Sequence, residues 1–221
     1  MNPQLRAMVR GASEILTEAG VPSPEHDARA LAAYALGVSD LVLAPQELPD
    51  GFQLTFADLL DRRRRRFPLQ HILGSTGFRY LSLRQESGVF VARPETEVVA
   101  QHAIDAARLI AVSGRRPLVV DLCCGSGPIA CSVDVEVEGS SVVAIDASPA
   151  AVALTRHNHA IAGSASMRIE LGDVTDPSLL MDLEGVVDVL VSNPPYIPPE
   201  AVPNEPEVRD HDPDLALYGG G

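Results

Sequence analysis

The chain has 221 residues, 46% of them hydrophobic, and a formal charge of −13, enough apolar material for one or two domains with substantial cores. No apolar run reaches the roughly 18 residues of a membrane-spanning helix, and the N-terminal MNPQLRAMVRGASEIL lacks a signal-peptide core, so a cytoplasmic protein without membrane contact is expected. Residues 1–90 balance ten arginines against ten acids, whereas residues 91–221 set seven against twenty, which argues against nucleic-acid binding through phosphate neutralisation but not against a basic protein partner.

Residues 1–60 read as helices. Leu5, Met8, Val9, Ala12, Ile15, Leu16 and Ala19 recur at helical spacing up to Gly20. Ser23-Pro24-Glu25 then caps a second helix that runs to Leu36 and stops at Gly37. Ser39 caps a short helix, and another spans 54–66. Short amphipathic helices of this kind pack as a small bundle. Asp61 is followed by five arginines, Arg62 to Arg66. The run reads either as a partner or nucleic-acid patch or as a solvated helix end favoured by the dipole.

From Phe67 the pattern changes. Residues 78–83 and 89–91 alternate like two strands, with 85–88 as the turn, giving a hairpin that links two domains. Pro94-Glu95-Thr96-Glu97 opens a helix continued by Val98, Val99, His102, Ala103, Ala106 and Ile110.

Strand and helix alternate from Pro117, as in a parallel sheet. Strands are expected at 118–122, 142–146, 167–171 and 186–191, with helices at 128–137, 148–162 and 177–183. Val133 to Glu138 alternates like a strand, yet parallel neighbours need a crossover, so a helix is expected there. Residues 186–191 are apolar and largely β-branched, as in a strand buried on both faces.

Each strand end carries a polar signature. Asp121-Leu122-Cys123-Cys124-Gly125-Ser126-Gly127 follows the first strand, and its glycines let the backbone approach a ligand. The same loop also suits an ordinary strand-to-helix turn. Asp146 ends the second strand, where a carboxylate can accept both hydroxyls of a ribose or, with Ser148 and Pro149, cap the next helix. Asp173 and Val174 follow the third strand and can meet an adenine ring; Asp173 also suits a plain turn. The fourth strand ends in Asn193-Pro194-Pro195-Tyr196, where two prolines forbid continuation and hold an amide and an aromatic ring stiffly at the sheet's carboxyl edge. The three cysteines, Cys123, Cys124 and Cys131, do not match zinc spacing, and no metal is expected.

This order of motifs resembles the class I S-adenosylmethionine-dependent methyltransferases and, more closely, the family that methylates the glutamine of peptide chain release factors. The resemblance rests on the helical N-terminal region, Pro68-Leu69-Gln70-His71-Ile72-Leu73-Gly74, Arg93-Pro94-Glu95-Thr96-Glu97, residues 121–127 and Asn193–Tyr196. It implies an α/β, Rossmann-like parallel sheet. It also implies three regions: a helical substrate-recognition domain over 1–74, a hairpin linker over 75–93 and an S-adenosylmethionine-binding domain over 94–221. Cys123, Cys124, Gly125, Ser126, Gly127, Asp146, Asp173, Val174 and Asn193 would bind the donor. Asn193, Pro194, Pro195 and Tyr196 would bind the substrate, with Asn193, Pro194 and Tyr196 catalytic and a release factor as protein partner of a monomeric enzyme. The family usually has glycine at Cys123, alanine at Pro128 and proline at Ala92, and it continues past Gly221, so a C-terminally incomplete sheet is expected. The alternatives are an adenine-N6 methyltransferase acting on DNA or RNA, for which the same four residues serve, and an inactive donor-binding fragment.

Overall fold

A computed structural model describes residues 2–162 and 167–219. Their contacts cluster into two units, one formed by residues 2–73 with 204–211, the other by 74–203 with 212–219.

In the helical unit, α1 (Pro3–Glu18) is capped by Asn2, whose side-chain oxygen accepts the Leu5 N–H at 2.7 Å. Helix α2 (Pro24–Leu36) begins with proline in its first turn and ends at left-handed Gly37. Ser23 precedes α2 but makes no side-chain cap bond. The short helix expected after Ser39 is a single 3-10 turn, Leu41–Leu43, capped by Asp40, whose carboxylate accepts the Val42 N–H at 2.7 Å. Helix α3 (Phe52–Arg64) starts earlier than the sequence suggested because Phe52 is a core residue that stacks on Phe56 at 5.6 Å. A one-turn helix, α4 (Leu69–Leu73), follows, and α8 (Pro206–His211) completes the unit. Leu5, Leu16, Leu31, Phe52, Phe56 and Ile72 form the shared core.

The arginine run is not a free basic patch. Arg63, buried, donates to Asp27 at 2.7 Å and to Glu207 at 2.7 Å. Arg66 grips both oxygens of Glu207 at 2.7 and 2.6 Å, and Arg64 and Arg65 pair with Asp61. The Phe67 ring lies 4.4 Å from that of His211.

The larger unit opens with a hairpin, β1 (Ser75–Phe78) and β2 (Leu81–Arg84), paired antiparallel with Phe78 opposite Leu81. The chain therefore reverses at Arg79-Tyr80, not at 85–88, and 89–91 form no strand. Two features explain the shift. Arg79 takes a left-handed φ of 51°, held by its N–H on Glu97 at 3.0 Å and its guanidinium on Glu136 at 2.6 and 2.8 Å. Gln85, 2% exposed, donates to the Val89 carbonyl at 2.9 Å and folds residues 85–90 back on themselves.

Helix α5 (Thr96–Val112) precedes the sheet. The sheet elements are β3 (Leu118–Leu122), β4 (Ser141–Asp146), β5 (Arg168–Leu171) and β6 (Val189–Ser192), all parallel, in the order β5-β4-β3-β6. The crossovers α6 (Pro128–Glu136) and α7 (Pro149–Ala162) are helical. The alternating Val133–Glu138 stretch is helical up to Glu136, with Val133 and Val137 buried in the core. The helix expected over 177–183 does not form. Asp176 instead accepts the N–H and hydroxyl of Ser178, Leu180 turns left-handed at φ 56°, and only a 3-10 turn at Met181–Leu183 follows. β6 is shorter than expected and is an edge strand among the described residues. Asp188 diverts its start by accepting the Leu118 N–H at 3.0 Å, and Leu190 is 65% exposed, so the strand is not buried on both faces. A last helix, α9 (Asp214–Leu217), lies in this unit.

A candidate active site at the carboxyl ends of the strands

Register brings the polar signatures together. Leu122 pairs with Ile145 on one side and Ser192 on the other, and Asp146 pairs with Leu171. The residues just beyond, Cys123 and Asn193, therefore leave neighbouring strands side by side, with Asp146 flanking Cys123 on the other side. The Ser192 hydroxyl, at the end of β6, donates to the Leu122 carbonyl at the end of β3 at 2.8 Å. The glycine loop and the Asn-Pro-Pro-Tyr turn are thus joined directly at their roots.

Backbone strain and side-chain clamps shape the loop. Cys123 adopts φ 61°, a left-handed conformation that suits glycine. The Cys124 N–H donates to the Ile145 carbonyl at 2.9 Å. The Gly125 N–H donates to Asp146 Oδ2 at 2.8 Å, and the Gly125 carbonyl accepts the Thr155 hydroxyl at 2.8 Å. The Ser126 carbonyl accepts the Asn158 amide at 2.8 Å. A Cβ on Gly127 would stand 2.9 Å from Thr155 Cγ2, so that glycine serves helix packing. Cys124, Ser126 and Gly127 are buried, whereas Cys123 and Gly125 remain accessible. A Cβ built on Gly125 meets nothing within 4 Å, so the backbone there faces open space.

Asp146 takes part in the helix start read from the sequence and also clamps the glycine loop. Oδ2 holds Gly125, and Oδ1 accepts the Ser148 N–H at 2.8 Å while the Ser148 hydroxyl caps α7. Burial pushes its carboxyl above the usual range, and the backbone N–H groups pull it back. Each oxygen keeps a further lone pair for a ligand hydroxyl. Asp121 is 1% exposed, and its Oδ2 accepts the Ala130 N–H at 3.0 Å. Burial pushes its carboxyl up to about 8 against that hydrogen bond, with the nearby Asp146 charge adding to the rise. Asp173 is exposed and forms a turn by accepting the N–H and hydroxyl of Thr175 at 2.8 and 2.7 Å. Val174 beside it is 47% exposed.

At the fourth strand end, the Asn193 side-chain NH2 donates to the Thr96 hydroxyl at 3.4 Å. Pro194 is exposed, Pro195 half-buried, and the Tyr196 ring 78% exposed. The chain beyond is pinned where the Ile197 N–H donates to the Leu217 carbonyl at 2.9 Å and the Gly219 N–H to the Ile197 carbonyl at 3.2 Å. Amide, carbonyl and ring thus stand on a braced turn.

Three positioning residues escaped the sequence reading: Thr96, Thr155 and Asn158. Asn158 was legible in principle. It shares the buried face of α7 with Ala151, Val152, Leu154 and Thr155, and a polar residue on such a face demands partners. A concavity of about 460 Å3 in the helical unit, lined in part by Asn2, Gln46 and Leu54, contains none of these residues. The polar groups converge instead at the strand ends, which form the candidate site.

Residues 7–74 match the PrmC N-terminal domain family and residues 83–205 the Methyltransferase small domain family. The chain is 47% identical to the release factor glutamine methyltransferase of Streptomyces coelicolor over 218 residues, covering 98% of this chain and 74% of that one. It is 44% identical to the Bifidobacterium longum protein of the same name, covering 96% and 76%. Among solved structures, a ribosomal protein L11 methylase from Lactobacillus delbrueckii subsp. bulgaricus aligns at 21% identity with a TM-score of 0.41 over 55% of this chain and 67% of that one, too slight an overlap to carry an argument.

Proposed function

The chain belongs to the release factor glutamine methyltransferase family, and on that premise we propose that it transfers a methyl group from S-adenosylmethionine to the side-chain amide nitrogen of a glutamine in a peptide chain release factor. The observation that carries the reading is the Asn193 amide standing beside the glycine loop at neighbouring strand ends, with its NH2 on Thr96.

The donor fits the residues present. The open backbone at Gly125 lets a ligand approach, and the carboxylates of Asp146 and Asp173 suit a cationic molecule that carries hydroxyls. When bound, the donor supplies an electrophilic methyl group on a sulfonium.

The remaining difficulty is the acceptor, since an amide lone pair is delocalised into its carbonyl. Asn193 Oδ1 and the Pro194 carbonyl accept hydrogen bonds from the substrate NH2. They hold its nitrogen in line for attack and stabilise the positive charge that develops there. Tyr196, with its ring exposed, packs on the flat amide. No strong base is required before transfer, because the acceptor proton leaves afterwards. The prolines matter because only fixed acceptors stabilise a transition state without reorganising. The helical unit recognises the protein substrate, and the cytoplasm, where release factors work, is the site of action. No described helix is long and apolar enough to cross a membrane.

Incubation with labelled donor and either a release factor or adenine-containing nucleic acid tests the reading. Label in the release factor, lost when its acceptor glutamine is changed, supports it. Label in nucleic acid moves the assignment to an adenine-N6 methyltransferase, and label in neither leaves a donor-binding protein.

A further inference from the structure

Asp121 is a buried carboxyl group with half of its hydrogen-bonding capacity unused. It is the fourth residue of β3 and 1% exposed. Its Oδ2 accepts the Ala130 N–H at 3.0 Å in the first turn of α6, whereas Oδ1 is buried and has no hydrogen-bond partner among the described residues. Its register partners, Ala144 on β4 and Val191 on β6, are apolar.

The titratable groups that face Asp121 bring no positive charge. They are Asp146 at the end of β4, Cys123 and Cys124 in the glycine loop, and Cys131 on α6. Burial pushes all three thiols up, so they stay neutral at neutral pH. Asp146 repels a second negative charge, and its own two oxygens each accept a backbone N–H, which favours its charged form. Asp121 has one such bond and no counter-charge. A carboxyl buried in that way takes up a proton rather than stay ionised.

Asp121 also lies within electrostatic reach of the open part of the loop. Cys123, two residues on, remains accessible, and the Asp121 charge acts on its thiol. A cation seated at this loop would supply the opposite charge that the carboxyl lacks and would favour its ionised form. We propose that Asp121 holds a proton while the loop is empty and releases it when a cationic donor binds, so that donor binding is coupled to proton release. The inference rests on the donor-binding reading of the site and adds to it a pH dependence of donor affinity.

Linkage gives the direction. With the carboxyl pushed up to about 8 in the empty site, binding below that pH expels a proton. Donor affinity should therefore rise with pH, by up to about tenfold per unit, and level off above that value.

The test is calorimetric titration with S-adenosylmethionine at neutral pH in buffers of different ionisation enthalpy, which counts the protons released. Wild type should release most of one proton per donor bound. Asp121→Asn keeps the shape and the acceptor for Ala130, and it should release less by that amount and lose the pH dependence. The difference between the two proteins excludes protons given up by the donor's own amine. A second readout needs no donor. A carboxyl protonated in the folded chain and ionised in the unfolded one loses stability as pH rises from 3.8 to about 8. The Tm of Asp121→Asn should therefore gain on that of wild type across this window, whatever uniform loss the substitution brings. Equal proton release by the two proteins on binding the donor would overturn the proposal, and so would a Tm difference that does not change with pH. If wild type binds no donor, the reading of the site fails and the coupling with it.

Discussion

The Gly125 N–H and Asp146 Oδ2 meet at 2.8 Å, so the glycine loop is tied to the end of the neighbouring strand. A hydrogen bond to a charged group is worth about 1.5–3 kcal/mol, and Asp146 makes a second one to Ser148. Asp146→Ala should weaken donor binding by about tenfold to a hundredfold, the equivalent of that loss, as read by calorimetry. Asp146→Asn keeps one acceptor and should lose less. Unchanged donor affinity in the alanine variant would remove Asp146 from the site.

Asn158 clips three segments together. Its oxygen accepts the Arg84 N–H at 2.7 Å, and its NH2 serves the carbonyls of Arg84 at 3.1 Å and Ser126 at 2.8 Å, while Asn158 itself is 1% exposed. Asn158→Ala would leave three backbone groups without a partner and should cost about 2–4 kcal/mol. Denaturant unfolding would show it as a lower midpoint at an unchanged slope.

Cys123 supplies a test of backbone strain. A non-glycine residue in the left-handed region costs roughly 1–2 kcal/mol, and the entropy that glycine loses on folding returns about 0.5–1 of that. Cys123→Gly should therefore be neutral or stabilising by less than about 1 kcal/mol, although it removes a side chain. Cys123→Val, β-branched at φ 61°, should destabilise. In thermal melts the valine variant should lose stability and the glycine variant should not, and a clear loss of stability in the glycine variant would contradict the strain argument.

Glu207 ties stability to pH. Burial alone would raise its carboxyl, but hydrogen bonds from Arg66 and Arg63 outweigh that and hold it at about 2, below its ordinary 4.5. Above pH 4.5 it is ionised in both folded and unfolded chains, and its contribution is complete. As pH falls from 4.5 towards 2, the unfolded chain takes up the proton first and that contribution is lost. Glu207→Gln should lower the Tm at neutral pH, because Arg63 and Arg66 lose their charge partner, at a cost of about 2–4 kcal/mol. Its stability should also fall less steeply than wild type across that acid window.

The strand ends were legible in the sequence because each couples an apolar run to an abrupt polar or proline stop. Asp121 and Asp146 sit at or just inside the carboxyl ends of their strands, and Asn193 and Asp173 follow theirs by one and two residues. The α6 crossover was legible for a topological reason that overrode its alternating pattern. Other features were not. The hairpin turn moved to Arg79 because Glu97 and Glu136, distant in sequence, hold a left-handed arginine there. The arginine run read either as a patch or as a solvated helix end, and its ion pairing was not legible because the partners of Arg63, Asp27 and Glu207, lie 36 and 144 residues away. β6 read as a central strand because its β-branched residues suit a buried ladder, whereas Asp188 shortens it and the described sheet ends there. Local pattern reports which residues want burial, and long-range ion pairs decide where a turn or a charge run ends up.

The most direct measurement is single-turnover methyl transfer to a release factor by Asn193→Ala, with donor affinity measured on the same protein. The fixed amide oxygen acts in the transition state, so the variant should lose on the order of a hundredfold or more in transfer rate while binding the donor as wild type does. A variant that transfers at a near-normal rate would contradict the account at its centre.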